Sequence, residues 1–77
     1  MAIRVILFGQ LVEKIGKSDL ELEGIRDTDH LEKELHSGFP ALGTLSYRIA
    51  VEKKLIHENT ALKEGMTVAL LPPFSGG

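Results

Sequence analysis

The sequence predicts an α+β domain in which one main helix packs on a mixed sheet of four to five strands, with the first and last strands parallel and adjacent at the centre. Three features predict it. Runs that are apolar on nearly both faces stand at residues 3–8 and 66–71, the pattern of strands buried in the middle of a sheet. A single well-capped helical pattern lies between them, and shorter alternating runs supply hairpin partners.

In chain order, Ile3, Val5 and Leu7 alternate with Arg4, Ile6 and Phe8, which predicts a central strand with Phe8 among its core residues. Gly9 breaks the run. Leu11, Val12 and Ile15 then share one helical face before Gly16, a short helix or turn. Acidic and apolar residues alternate from Asp19 to Glu23, so residues 18–23 form a strand with one wet face that pairs back as a hairpin. Asp27, Thr28 and Asp29 offer capping oxygens, and Leu31 and Leu35 follow at helical spacing, predicting a helix over 28–37. Gly38 ends it, Pro40 prevents restarting, and Phe39 and Leu42 seal its lower end. Tyr47, Ile49 and Val51 begin a second hairpin, interrupted at Lys53-Lys54 and resumed at Leu55-Ile56. Leu62 drops into the core, Gly65 turns with a positive φ, and the apolar run 66–71 returns to the middle of the sheet. Two hairpins flanking one helix, with the terminal strands paired at the centre, is the element order of the ubiquitin-like β-grasp.

Composition narrows the function. Seventy-seven residues support one core, so residues 1–72 are assigned to a single domain and 73–77 to an extended tail. Without cysteine there is no disulfide, no thiolate metal site and no cysteine nucleophile, so any sulfur chemistry uses sulfur brought from outside. A net charge of -2 gives no basic field for phosphate backbones, and nucleic acid is not an expected partner. The apolar run 66–74 is about half the length of a membrane helix and is broken by prolines, so no membrane partner is expected either. Met1-Ala2-Ile3-Arg4 runs directly into a strand pattern without a leader, which makes the cytoplasm the expected compartment.

No constellation for a self-contained enzyme is visible. His30 and His36 are six apart on one helix and His57 lies in a hairpin, so no metal site is expected. Asp19, Glu21, Glu23, Glu32 and Glu34 sit where amphipathic patterning predicts solvent. There is no phosphate loop or Ser/His/Asp set.

The C-terminal run Pro72-Pro73-Phe74-Ser75-Gly76-Gly77 stands out instead. Two prolines hold the backbone extended and steer it off the sheet. Gly-Gly is as thin as a polypeptide can be and suits a narrow slot. A terminal Gly-Gly arises by chance only about one time in a hundred at this glycine content. The Gly77 carboxylate is a poor electrophile until an ATP-derived adenylate supplies a leaving group, which another protein must do. Attack by a persulfide then gives a thiocarboxylate, and attack by an amine gives conjugation. Phe8, Leu71 and Phe74 are candidates for a partner surface beside the tail, with Pro72, Pro73, Ser75 and Gly76 threading it inward.

Ile3-Arg4-Val5-Ile6-Leu7-Phe8-Gly9, Leu62-Lys63-Glu64-Gly65-Met66-Thr67-Val68-Ala69 and the Pro-Pro-x-x-Gly-Gly end closely resemble the molybdopterin synthase small-subunit family of ubiquitin-like sulfur carriers, over essentially the whole chain. The resemblance implies a β-grasp whose terminal glycine, Gly77 here, is adenylated by an E1-like enzyme using ATP and thiolated by a persulfide-bearing protein. It also implies insertion of the tail into a separate large subunit, which carries the catalytic residues. There sulfur passes to a cyclic pyranopterin precursor during molybdenum cofactor synthesis, in a complex of two small and two large subunits. The chain itself would be a non-catalytic donor binding no cofactor. Glu52 stands where the family commonly has asparagine, and the stretch between residues 35 and 47 is short. Thiamine-pathway sulfur carriers and archaeal ubiquitin-like modifiers share the fold and the Gly-Gly end, so these roles and a non-covalent binding module stay open as alternatives.

Overall fold

The computed structural model describes residues 2–73. Strand β1 (Ile3–Leu7) leads into helix α1 (Gln10–Ile15), then β2 (Asp19–Leu22), helix α2 (Thr28–Gly38), a 3₁₀ turn (Pro40–Thr44), β3 (Arg48–Val51), β4 (Lys54–Leu55) and β5 (Thr67–Leu71). The strands lie in the order β2-β1-β5-β3-β4. Among the described residues only β1 and β5 run parallel, with Val5 opposite Val68 and Leu7 opposite Leu70, and the other three strand pairings are antiparallel. The expected β-grasp, with its terminal strands at the centre, is the fold.

Alternation along each strand separates the two faces of the sheet. Ile3, Val5, Leu7, Val68, Leu70, Ile49 and Val51 point inward and are buried against Leu31 and Leu35 of α2, with Leu11, Leu42 and Leu62 closing the ends. Each fully buried leucine contributes about 2 kcal/mol. The ion pair from Arg4 Nη2 to Asp19 Oδ2 at 2.7 Å is exposed and screened by water, so the core and not the surface charge holds the sheet together.

Helix α2 starts on two linked devices. Asp27 Oδ1 accepts the His30 N–H at 2.8 Å, and this bond holds the Asp27 carboxyl below the usual carboxylate range. Thr28, only 2% exposed, donates its hydroxyl to Asn59 Oδ1 and accepts the Thr60 N–H at 2.9 Å, while Asn59 Oδ1 also accepts the Asp29 N–H. Two residues 31 apart in sequence thereby fasten the helix start to the loop after β4.

Two expectations change. Pro40 does not block helical structure but opens the 3₁₀ turn, because its fixed φ suits a first turn and its missing N–H would have had no partner there. The second hairpin turns at Glu52 and Lys53, not at Lys53-Lys54, and both turn residues have positive φ, at 50° and 72°. That pair of angles belongs to the two-residue hairpin turn whose twist matches that of the flanking strands.

Candidate functional site

The candidate site is built where β5 leaves the sheet. Because β1 and β5 run parallel, they end side by side: Phe8 N–H still bonds Leu70 O at 3.2 Å, and the next residue, Gly9, turns away into α1. Gly9 has φ +60°, and a Cβ there would stand 2.9 Å from Pro72 Cγ. Only glycine meets both demands, the backbone angle and the close approach. Pro72 therefore lies on the Gly9 turn, half-buried, and Pro73 beyond it is exposed.

Phe8, Leu71 and the face between them surround this exit. Phe8 was expected in the core and is instead 45% exposed. The reason is strand parity: Phe8 shares the outward face with Arg4, whose charge already marked that face as wet. The register puts Leu71 beside it, and a row of Ile6, Ala69, Ala50 and Leu55 crosses the same face. Leu55 is 49% exposed and was not singled out from the sequence, since only its pairing with Ala50 reveals which face it joins. A shallow concavity of about 480 Å³ opens here, lined by Ile6, Phe8, Glu52, Lys53, Thr67 and Ala69. An apolar patch of this kind beside a chain exit suits a partner protein better than a small ligand. Of the other expected site residues, Phe74, Ser75, Gly76 and Gly77 lie outside the described residues.

On the other side of the exit, Pro73 stands at the rim of a polar cleft of about 520 Å³ between α2, the start of β3 and residues 56–59. Its wall holds a chain of three polar groups. Tyr47 donates its hydroxyl to Glu32 Oε1 at 2.8 Å, and His36 Nε2 lies 2.7 Å from the same hydroxyl, with the two rings edge to face. Glu32 was expected on a solvated face and is half-buried against Tyr47. Burial, and then the hydrogen bond and negative charge of Glu32, push the Tyr47 phenol well above its ordinary value. His30 is engaged elsewhere, its Nδ1 accepting the Arg26 N–H at 3.3 Å. Among the described residues no group of three histidine, aspartate or glutamate side chains converges to hold a metal ion. None of their helices is long and apolar enough to cross a membrane.

A β-grasp that delivers its C-terminal segment past a glycine turn, between an apolar sheet face and a polar cleft, defines a small ubiquitin-like protein. The model of the ThiS family matches residues 5–77, and the chain belongs to that family. Among solved structures, it is similar over 99% of its length to 96% of small archaeal modifier protein 1 from Methanosarcina acetivorans, at 28% identity and a TM-score of 0.80. It is also similar to a chain from the protein–protein complex of subunits 1 and 2 of the molybdopterin-converting factor of Helicobacter pylori, at 29% identity over all of both chains and a TM-score of 0.73. Small archaeal modifier protein 1 of Haloferax volcanii shares the fold, at 21% identity over all of both chains and a TM-score of 0.80.

Two outcomes follow from this geometry. Gly9→Ala should cost about 1–3 kcal/mol in denaturant unfolding, from the backbone angle and the contact together, and Pro72→Ala in the same chain should restore part of it. If Gly9→Ala is neutral, the close approach does not exist. Tyr47 is the single tyrosine of a chain without tryptophan, so phenolate absorbance reports it alone. Its folded pKa is raised, so the stability its hydroxyl contributes is fully present below pH of about 10 and is lost as pH rises beyond it. The phenolate should appear well above pH of about 10 in the native protein and at lower pH in Glu32→Gln. A native midpoint at the ordinary value would contradict the buried pair.

Proposed function

We propose that this chain is the sulfur-carrier small subunit of molybdopterin synthase, with the Gly77 carboxylate as the reacting group. An E1-like enzyme transfers AMP from ATP to that carboxylate and releases pyrophosphate. The terminal sulfur of a protein persulfide attacks the glycyl carbon and expels AMP, and cleavage of the S–S bond by a thiol leaves the thiocarboxylate. The tail then enters the large subunit, where catalytic residues of that subunit direct sulfur to the pyranopterin precursor. The working complex holds two small and two large subunits. ATP serves the activating enzyme and not this chain, and the reaction belongs to the cytoplasm.

The observation that carries this is the continuity of the exit with the apolar face. Phe8 and Leu71 flank the exit at Pro72 and Ile6 lies on the same sheet face, so a partner that covers them receives the tail in the same embrace. Likeness over its full length to a chain of a two-subunit molybdopterin-converting complex supports a protein partner of that kind. Almost equal likeness to an archaeal modifier favours a second role, in which the activated glycine is attacked by a lysine amine and the chain is conjugated to other proteins. A sulfur carrier for thiamine or another pathway would share the first two steps.

The roles separate by intact mass of the protein purified from its own host. A sulfur carrier shows a species heavier by roughly 16 Da, one oxygen replaced by sulfur, that disappears in a chain lacking Gly77. A modifier shows a ladder of conjugates instead. Unchanged mass with no conjugates would end both. Copurification with a large subunit decides between molybdopterin and other sulfur pathways.

A further inference from the structure

The sheet has two ends, and they differ. At one end β4 offers only Lys54 and Leu55, too short an edge for another strand to follow. At the other end β2 runs for four residues without proline, in unbroken register against β1, and no strand lies beyond it among the described residues. Its free side is set by the hydrogen bonding. Leu7 N–H bonds Ser18 O at 2.9 Å, and in an antiparallel pair such bonding recurs at every second residue, so Ser18, Leu20 and Leu22 turn their backbone groups to β1. The N–H and C=O of Asp19 and Glu21 therefore point away from the sheet, with no backbone partner among the described residues.

Side chains decide what fits there. Leu20 and Leu22 are only half-buried on the helix side, while Asp19, Glu21 and, just past the strand, Glu23 are exposed. Arg4 is bonded to Asp19, which leaves Glu21 and Glu23 without a hydrogen bond or ion pair among the described residues. A concavity of about 470 Å³ is lined by Arg4, Lys17, Asp19, Leu20 and Glu21. Leu20 belongs to one face of the sheet and Asp19 and Glu21 to the other, so this concavity opens at the edge itself. A second copy of the chain is a poor occupant. Antiparallel self-pairing centred on Leu20 sets Asp19 of one copy opposite Glu21 of the other, twice, and like charges directly opposite destabilise a sheet.

We infer that this edge takes a sixth strand from another protein, an extended segment in which lysine or arginine alternates with β-branched apolar residues. The backbone of Asp19 and Glu21 supplies the ladder bonds. The basic side chains of the segment lie on the outer face beside the Glu21 and Asp19 carboxylates, and its apolar ones lie beside Leu20 and Leu22. β1 separates this edge from β5, so the segment is held without occupying the place where β5 leaves the sheet. The inference goes beyond the chemistry proposed for Gly77 and does not depend on it.

The test uses an acetylated peptide of alternating lysine and valine, about eight residues long, against the isotopically labelled full-length chain. The peptide should bind and slow hydrogen exchange at the amides of Asp19 and Glu21, which are otherwise open to water. A glutamate–valine peptide of the same length should not bind. Glu21→Gln should weaken binding of the lysine–valine peptide about five-fold at low salt. Glu21→Pro removes an N–H that this chain's own ladder does not use, so the fold should persist while strand addition is lost. The inference is overturned if the lysine–valine peptide protects neither edge amide, if the glutamate–valine peptide binds equally well, or if Glu21→Pro binds as tightly as Glu21→Gln. Concentration-dependent protection of the same amides without peptide would give the edge to a second copy and overturn it as well. Should Glu21→Pro not fold, protection at Asp19 and Glu21 in the wild type still decides. Each of these outcomes leaves the thiolation of Gly77 to its own test.

Discussion

The parallel pairing of β1 with β5 governs the geometry of this protein, because it forces two segments more than 60 residues apart in sequence to start and finish together. Parallel neighbours cannot be joined by a tight turn and need a long crossover, and everything from α1 to β4 serves as that connection. Both strands are buried on the helix side, where Val5 and Val68 are opposite each other and fully enclosed. Since β1 ends in the Gly9 turn, β5 must leave the sheet against the same turn. The direction of the tail at Pro72 is therefore a property of the sheet's centre and not of the tail.

The same pairing explains why the outer face is available. The single main helix covers the inner face, and the opposite side is left with Ile6, Phe8, Ala69, Leu71 and Leu55 in a shallow apolar surface. Small residues, Ala50 opposite Ala69, keep its middle flat. A flat, partly apolar surface continuous with the chain exit has the anatomy of a protein interface, a nonpolar centre with charges at the rim. Under the proposed function, the chemistry at Gly77 is carried out by other proteins. The domain contributes a surface to grip and a fixed point of departure.

Much of this was legible from residue order. The doubly apolar runs at 3–8 and 66–71, the Asp-Thr-Asp start of α2 and the acidic alternation of β2 each express one local rule, and each formed as that rule dictates. What escaped was set by contacts distant in sequence. Nothing near Gly9 announces that Pro72 will lie 2.9 Å from where its Cβ would be, and nothing near Glu32 announces Tyr47. Thr28 was visible as a capping residue but its partner Asn59 was not. Phe8 is different: its parity with Arg4 was in the sequence, and a run apolar on nearly both faces hid it. The tail was conspicuous for the opposite reason, since two prolines and two glycines have meaning without any tertiary context.

The two proposed roles, sulfur carrier and protein modifier, both require an activated end. That requirement is testable apart from either pathway. ATP–pyrophosphate exchange by the host's activating enzyme should proceed with the chain ending at Gly77 and fall to background when a few residues are added after it, with unfolding curves of the two proteins superimposable. Equal exchange from the extended chain, shown by intact mass to be untrimmed, would contradict the account.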